Sequence, residues 1–251
     1  MKPKSADILV TNGTVLTFDA GDTEIINGAV AIAKDIITAV GPGDEFGDWS
    51  VSQVIDAKGG IIMPGLINSH THAAMTCFRG LADDLQLMTW LNDHIFPAEA
   101  KLDEHKVYWG ALLACAEMIM SGTTCFCDMY LYEDAVARAA KEAGVRAVVG
   151  EVLYDFDSPN YGPIENGFEY TQTLIDTWKG DPLISIAVEP HSTYLCAPEL
   201  LKRAFNLAQA FNLPLVIHLA ESKSEVEQIR KRYGRTPVEH LAELDVLAPN
   251  V

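Results

Sequence analysis

Two histidines separated by one residue, His70 and His72, are the side chains in this sequence with the clearest capacity for chemistry. In a β-strand the side chains alternate between faces, so positions two apart point in the same direction. Two imidazoles on one face at a strand end supply half of a metal site, and imidazole suits zinc and iron. The spacing alone also fits two unrelated histidines near a turn. The apolar pair Ile61–Ile62 and the bend at Pro64–Gly65 favour a strand that leads into a metal site.

Histidines also end two later apolar segments. His191 follows residues 184–190, and His218 lies within residues 214–219, with Glu221 three positions further on. The carboxyl ends of parallel strands in a barrel open onto one face, where active sites form. The pattern therefore predicts that the histidine-bearing segments meet at one site. Glu221 would lie near that site, although the helix dipole also explains a carboxylate at a helix start.

The order of the predicted elements changes near residue 61. Residues 6–60 alternate like β-strands, with a hairpin turn at Lys34–Asp35. Beyond them, apolar segments alternate with helical ones, which is typical of parallel strands with right-handed crossovers. We expect strands at residues 61–68, 123–128, 145–153, 183–190 and 214–219, and helices at residues 103–121, 132–143, 166–179, 197–211 and 223–232. A closed barrel of this type has eight strands, so we expect the chain to stop before the sixth; a complete, smaller α/β sheet is the alternative.

Composition argues against some classes of partner. The chain has 18 Lys plus Arg against 35 Asp plus Glu, a formal net charge of −17, which argues against binding to a nucleic acid or an anionic membrane. We expect no signal peptide and no membrane span. The five cysteines show no disulfide pattern, so we expect a reducing, cytoplasmic location. Cys125 and Cys127 share one face of a predicted strand. We expect core packing rather than metal binding there, because free cysteine behaves as a small, buried hydrophobic residue.

The segment with the histidine pair resembles the entry into the barrel of the amidohydrolase superfamily; it reads VIDAKGGIIMPGLINSHTH over residues 54–72. Residues 78–85, 90–99, 189–194 and 218–222 narrow the resemblance to the 5-methylthioadenosine/S-adenosylhomocysteine deaminase group, with chlorohydrolase-like enzymes as near neighbours. The resemblance implies an α/β fold, a (β/α)8 TIM-type barrel with about five of its eight strands present, beside a small β-sandwich. Residues 1–60 would be the N-terminal part of that composite sandwich, and residues 61–251 the metal-dependent hydrolase barrel.

The resemblance also implies roles for individual residues. Those that would bind a divalent metal ion are His70, His72 and His218. Those that would contact substrate are Trp90, Glu99, His191 and Glu221, and Glu221 would also be the catalytic residue that handles protons at the ring. The helical spacing of apolar residues around Trp90 is equally typical of core packing. A further histidine and an aspartate of the family lie beyond Val251, so we expect an incomplete metal site in this chain.

These features predict a metal-dependent hydrolytic deaminase that converts 5-methylthioadenosine, S-adenosylhomocysteine or adenosine into the inosine-type product and ammonia. It would bind one divalent metal ion, zinc or alternatively iron, and a small-molecule nucleoside, and would form a homo-oligomer or pair with a second polypeptide that completes the barrel. Residues 149–163 contain no arginine, where some family members bind the homocysteine carboxylate, which favours an uncharged substrate. The alternatives are an amidohydrolase of another ring, such as a triazine, guanine or cytosine, and a non-catalytic half-barrel subunit.

Overall fold

The computed structural model describes residues 4–251, which divide into two compact units between Gly65 and Leu66. The first unit is a five-stranded sheet of β1 (Ser5–Leu16), β2 (Glu24–Ala33), β3 (Ile36–Pro42), β4 (Ser50–Asp56) and β5 (Ile61–Ile62). Its strand order is β3–β2–β1–β4, with β5 also beside β1. The predicted hairpin turn at Lys34–Asp35 is confirmed, because Ala33 pairs with Ile36. That this unit is part of a composite sandwich stays a prediction.

The second unit is built on a parallel sheet. Its strands are β6 (Leu66–Thr71), β7 (Thr123–Tyr130), β8 (Arg146–Leu153), β9 (Ile184–Ile186) and β10 (Glu189–Pro190). The order is β10–β8–β7–β6, with β9 also beside β8, and every pair is parallel. The carboxyl ends of these strands therefore lie on the same side of the sheet.

Helices connect the strands of the second unit. They are α1 (Leu87–Trp90), α2 (Phe96–Glu99), α3 (Glu104–Met120), α4 (Glu133–Ala143), α5 (Ile164–Trp178), α6 (Pro198–Phe211), α7 (Lys223–Tyr233) and α8 (Pro237–Glu243). The five predicted helices are confirmed. Among the described residues, no helix is both long and apolar enough to cross a membrane.

Three predicted strands differ in the structure. The segment 183–190 is divided into β9 and β10, with residues 187 and 188 outside both strands. The segment 61–68 is divided, since residues 61–62 pair with β1 while β6 starts only at Leu66, beyond the bend at Pro64–Gly65. Residues 214–219 form only two isolated parallel bridges, Val188 to Leu215 and Ser192 to His218. The two bridges are four residues apart along one segment, from Val188 to Ser192, but three apart along the other, from Leu215 to His218. Pro190, between the bridges, also has no N–H to donate. A regular ladder therefore does not form, although the segment runs beside the sheet.

One core joins the sheet and helices of the second unit. Its fully buried large side chains include Phe126, Leu131, Leu153, Leu174 and Leu201. Small residues let α4 pack closely, because its alanines at positions 135, 137, 139 and 140 are all fully buried. This core packs around the strands, and the carboxyl ends of the strands remain available for polar residues.

Gly110 of α3 lets the segment that follows the histidine pair approach this helix closely. A Cβ atom at this position would lie 2.6 Å from the carbonyl oxygen of Ala74 and 2.8 Å from Sγ of Cys77. Both belong to a 3₁₀ helix, Ala73–Phe78, whose Thr76 hydroxyl donates a hydrogen bond to the Gly110 carbonyl at 2.7 Å. The segment that follows His72 is therefore held directly against α3.

We expect Gly110→Ala to destabilise the protein by about 1–3 kcal/mol, the usual cost of an added methyl group in a packed contact. The urea unfolding midpoint measures this change. Gly47→Ala is the matched control, because its φ is −63° and the nearest atom to its Cβ would be 3.7 Å away. Equal midpoints for the two variants would contradict the close packing of α3.

Candidate metal centre and active site

Three of the predicted residues converge at the carboxyl ends of the strands. His70 lies near the end of β6, His72 directly follows that strand, and His218 comes from the segment beside it. One ligand atom from each imidazole lies within 4.8 Å of the others. The ring centroids are 5.1–5.4 Å apart. The structure therefore brings together the three histidines that the sequence nominated as metal ligands.

Hydrogen bonds to the backbone set the direction of two of these rings. Nδ1 of His72 lies 2.7 Å from the carbonyl oxygen of Met129, and Nδ1 of His218 lies 3.1 Å from that of His191. A carbonyl only accepts, so each Nδ1 carries the proton and each Nε2 keeps its lone pair. This arrangement is typical of metal-binding histidines, whose second nitrogen is held by a carbonyl or carboxylate. The donor set fits a zinc or iron ion.

Asp128 of β7 holds the backbone around the histidine pair. Its side chain is fully buried, and Oδ1 accepts hydrogen bonds from the Thr71 hydroxyl at 2.5 Å and from the Ala73 N–H at 2.6 Å. These two donors stand immediately before and after His72. Asp128 was not among the residues nominated from the sequence; the signal that could have found it is a lone carboxylate within an apolar, buried strand.

Two adjoining cavities meet at the histidine cluster. The larger, about 340 Å³, is lined by His70, His218 and Glu221, among other residues. The smaller is lined by His72, His218 and His191 together with Trp90, Glu99, Tyr130 and Tyr154. Every residue that the sequence nominated thus lies on one of these two cavities. No Lys or Arg stands among the described residues that line either of them.

The nominated substrate-side residues differ in exposure. Trp90 is half-buried on the short helix α1 and lines the smaller cavity. Glu99, at the end of α2, is largely enclosed, and burial raises the pKa of its carboxyl. Burial lowers the pKa of His191 to about 3, so its imidazole is neutral, and its Nδ1 has no hydrogen-bond partner among residues 4–251. Glu221 is exposed, at the mouth of the larger cavity.

Carboxylates are also buried beneath the site. Glu133, Glu151 and Glu189 are fully buried. Burial raises the pKa of Glu133 and Glu189 well above the ordinary value, and the nearby charge of Asp128 adds to this shift. Burial raises the pKa of Glu151 to about 7, although Glu151 accepts hydrogen bonds from the Glu133 N–H and from Asn160. These groups favour the protonated form, because desolvation penalises a charge.

Known sequences match this chain along its length. The model of the amidohydrolase family matches residues 61–251. A protein of Syntrophobacter fumaroxidans named 5-methylthioadenosine/S-adenosylhomocysteine deaminase is 59% identical over 252 residues, which cover 100% of this chain and 58% of that protein. A similarly named protein of Syntrophus aciditrophicus is 53% identical, with 97% of this chain and 56% of the relative covered. The chain thus spans a little over half the length of these relatives.

Solved structures match the fold. A zinc-bound adenosine deaminase from Xanthomonas campestris superposes with a TM-score of 0.95 at 34% identity, over 99% of this chain and 57% of that one. An atrazine chlorohydrolase from Arthrobacter aurescens, in complex with zinc, gives a TM-score of 0.89 at 24% identity, over 97% and 59% of the two chains. The second likeness shows the fold alone. The prediction of a partial TIM-type α/β barrel is confirmed.

We expect the stability of the protein to fall as the pH rises from about 4.5 to about 7, partly because of Glu151. In this range the folded state keeps a proton on Glu151 that the unfolded state has lost, so each rise in pH favours unfolding. Glu151→Gln cannot ionise, and its unfolding midpoint in urea should depend less on pH across this range. Glu227→Gln, at an exposed position of α7, is the control. Parallel pH curves for all three proteins would contradict the raised pKa of Glu151.

Proposed function

This chain belongs to the amidohydrolase family, and on that premise we propose that the protein is a metal-dependent hydrolytic deaminase of adenosine-type nucleosides. The observation that carries the proposal is the meeting of three histidines, two of them oriented by backbone carbonyls, with Glu221 and His191 around adjoining cavities. The close relatives with deaminase names support the choice of reaction.

The proposed ligands of the metal ion are His70, His72 and His218. Their convergence and the outward lone pairs at Nε2 of His72 and His218 support this role. Zinc is the proposed ion, since the adenosine deaminase of Xanthomonas campestris is described with bound zinc; iron accepts the same donors. When bound, such an ion acts as a Lewis acid and makes water a stronger nucleophile at neutral pH.

Glu221 is the proposed proton carrier. Water attack at C6 of an adenine ring places negative charge on the ring, and a proton on the adjacent ring nitrogen neutralises it. Glu221 lines the same cavity as His70 and His218, which supports delivery of that proton from close to the point of attack. Ammonia then leaves, and the inosine-type product remains.

The smaller cavity is the proposed nucleoside subsite. Neutral His191 has an N–H to donate to the substrate, and Glu99 can accept hydrogen bonds from ribose hydroxyls. Trp90 offers an aromatic face to the base. The aromatic rings of Tyr154 and Phe156, stacked at 3.9 Å beside this cavity, extend its apolar character.

An uncharged substrate is proposed over one with a carboxylate tail. A carboxylate is bound best by the planar fork of arginine. The described residues that line the two cavities include no arginine or lysine, and residues 149–163 contain no arginine. This composition supports 5-methylthioadenosine and adenosine ahead of S-adenosylhomocysteine.

Location and assembly are proposed from the sequence. All five cysteines are free, which supports the proposed reducing, cytoplasmic location. Self-association is proposed only from the resemblance to the family.

We expect the intact, metal-loaded protein to change the ultraviolet spectrum of 5-methylthioadenosine as the inosine-type product forms, with a higher kcat/KM than for S-adenosylhomocysteine. Glu221→Gln should lower kcat at least about 100-fold, since general acid catalysis supplies factors of this size, while the metal content stays unchanged. Glu227→Gln is the control variant. Turnover of a triazine with no change in any nucleoside would instead support the rival amidohydrolase function.

We expect Ala substitutions of His70, His72 and His218 each to weaken zinc binding by at least about 100-fold, because even the loss of an outer hydrogen-bond partner costs 10- to 100-fold. Competition with a chromophoric chelator measures the affinity without any assay of activity. His94→Ala removes an exposed imidazole on the π-helical turn between α1 and α2 and is the control. Unchanged affinity in the first three variants would overturn the proposed ligand set.

A further inference from the structure

Glu225 is a buried carboxylate in the first turn of α7, one helical turn after Glu221. Its side chain is only 1% exposed, although most glutamates of an acidic, soluble surface face water. Both of its oxygens are used: Oε2 accepts a hydrogen bond from the Glu221 N–H, and Oε1 accepts one from the Thr193 hydroxyl, each at 2.9 Å. One carboxylate therefore joins the backbone at Glu221 to Thr193, which lies 32 residues before Glu225 in the chain.

The backbone at Glu221 requires such support. Ala220, directly before it, has a backbone φ of +56°, in the left-handed region that residues other than glycine rarely adopt. Conformations of this kind persist where surrounding contacts determine them and are common at functional sites. The hydrogen bond from the Glu221 N–H to Glu225 is such a contact. At the helix start, the Ser222 hydroxyl accepts from the Glu225 N–H at 3.2 Å and completes the turn.

The second oxygen of Glu225 reaches the segment of His191. Thr193 is fully buried, two residues after His191, and its hydroxyl has Glu225 as its hydrogen-bond acceptor. The same two segments also meet where the His218 N–H donates to the His191 carbonyl at 2.9 Å. The proposed proton carrier and the proposed substrate-binding histidine are thus joined at two points.

We propose that Glu225 is a positioning residue that sets the relative placement of Glu221 and the His191 segment through its paired hydrogen bonds. The inference rests on the proposed function, because it is the deaminase reaction that gives Glu221 and His191 their roles. Glu225 does not line either cavity, so it acts through the two segments that it joins.

Glu225→Gln tests the proposal with little change in shape. A glutamine keeps one acceptor oxygen but turns the other into an N–H₂ donor, so it can satisfy only one of the two donors that meet Glu225. We expect kcat for 5-methylthioadenosine to fall about 10- to 100-fold, the scale set by small misplacements of reacting groups, with a smaller change in KM and unchanged zinc content. Hydrogen exchange of the peptide that contains Glu221 should become faster.

Three further variants separate positioning from general damage to the fold. Glu227→Gln removes the same charge from the same helix at an exposed position and should match the wild type in every readout. Thr193→Val should lower kcat in the same direction as Glu225→Gln, and Thr193→Ser should restore it, because serine keeps the hydroxyl. Equal kcat and equal hydrogen exchange in Glu225→Gln and Glu227→Gln would overturn the proposal.

The outcomes distinguish this inference from the proposed function. If the wild type deaminates nucleosides and Glu225→Gln alters neither kcat nor the local hydrogen exchange, the positioning role is wrong and the function stands. If the wild type deaminates no nucleoside, the proposed function fails. In that case, faster exchange at Glu221 in Glu225→Gln alone would still support the joining of the two segments by Glu225.

Discussion

The hydrogen bonds from imidazole Nδ1 atoms to backbone carbonyls are the interactions on which the site depends. An imidazole can rotate about two side-chain bonds, and only a fixed partner for one nitrogen gives the other a defined direction. The partners are the carbonyls of Met129, in β7, for His72 and of His191, directly after β10, for His218. The direction of each Nε2 lone pair is therefore set by the backbone of the sheet.

This dependence makes the strand register a functional constraint. Thr71 and Asp128 are paired across β6 and β7, and their side chains are also hydrogen-bonded. A shift of one residue in this register would turn each side chain to the opposite face. Asp128 thus links the pairing of two strands to the placement of the histidines, and the close approach at Gly110 holds the chain that follows.

Acidic groups are buried around the site, although desolvation of a carboxylate has an energetic cost. Within the described part of the chain, neither Glu133 nor Glu189 has a hydrogen-bond partner for its carboxylate oxygens, and burial raises the pKa of each. Groups with strongly shifted pKa values concentrate at functional sites, since such sites are enclosed and bring charges together. Glu225 shows the other solution, in which a buried carboxylate keeps both oxygens paired. Glu133 and Glu189 therefore favour the protonated form, whereas Glu225 positions the segments that donate hydrogen bonds to it.

The sequence by itself determined the alternation of strands and helices, the nomination of the histidines and Glu221, and the family. The alternation and the histidines follow from side-chain periods and motif spacing along short stretches of chain, whereas the family and the role of Glu221 follow from the resemblance of the sequence motifs to a known family. Only the tertiary structure decided the Nδ1 partners, the roles of Asp128 and Glu225, and the loss of a regular ladder at residues 214–219. The reason is that these features depend on register between segments distant in sequence: the His72 contact joins residues 57 apart, and that of His218 joins residues 27 apart. No local pattern encodes which carbonyl a ring nitrogen will meet at such separations.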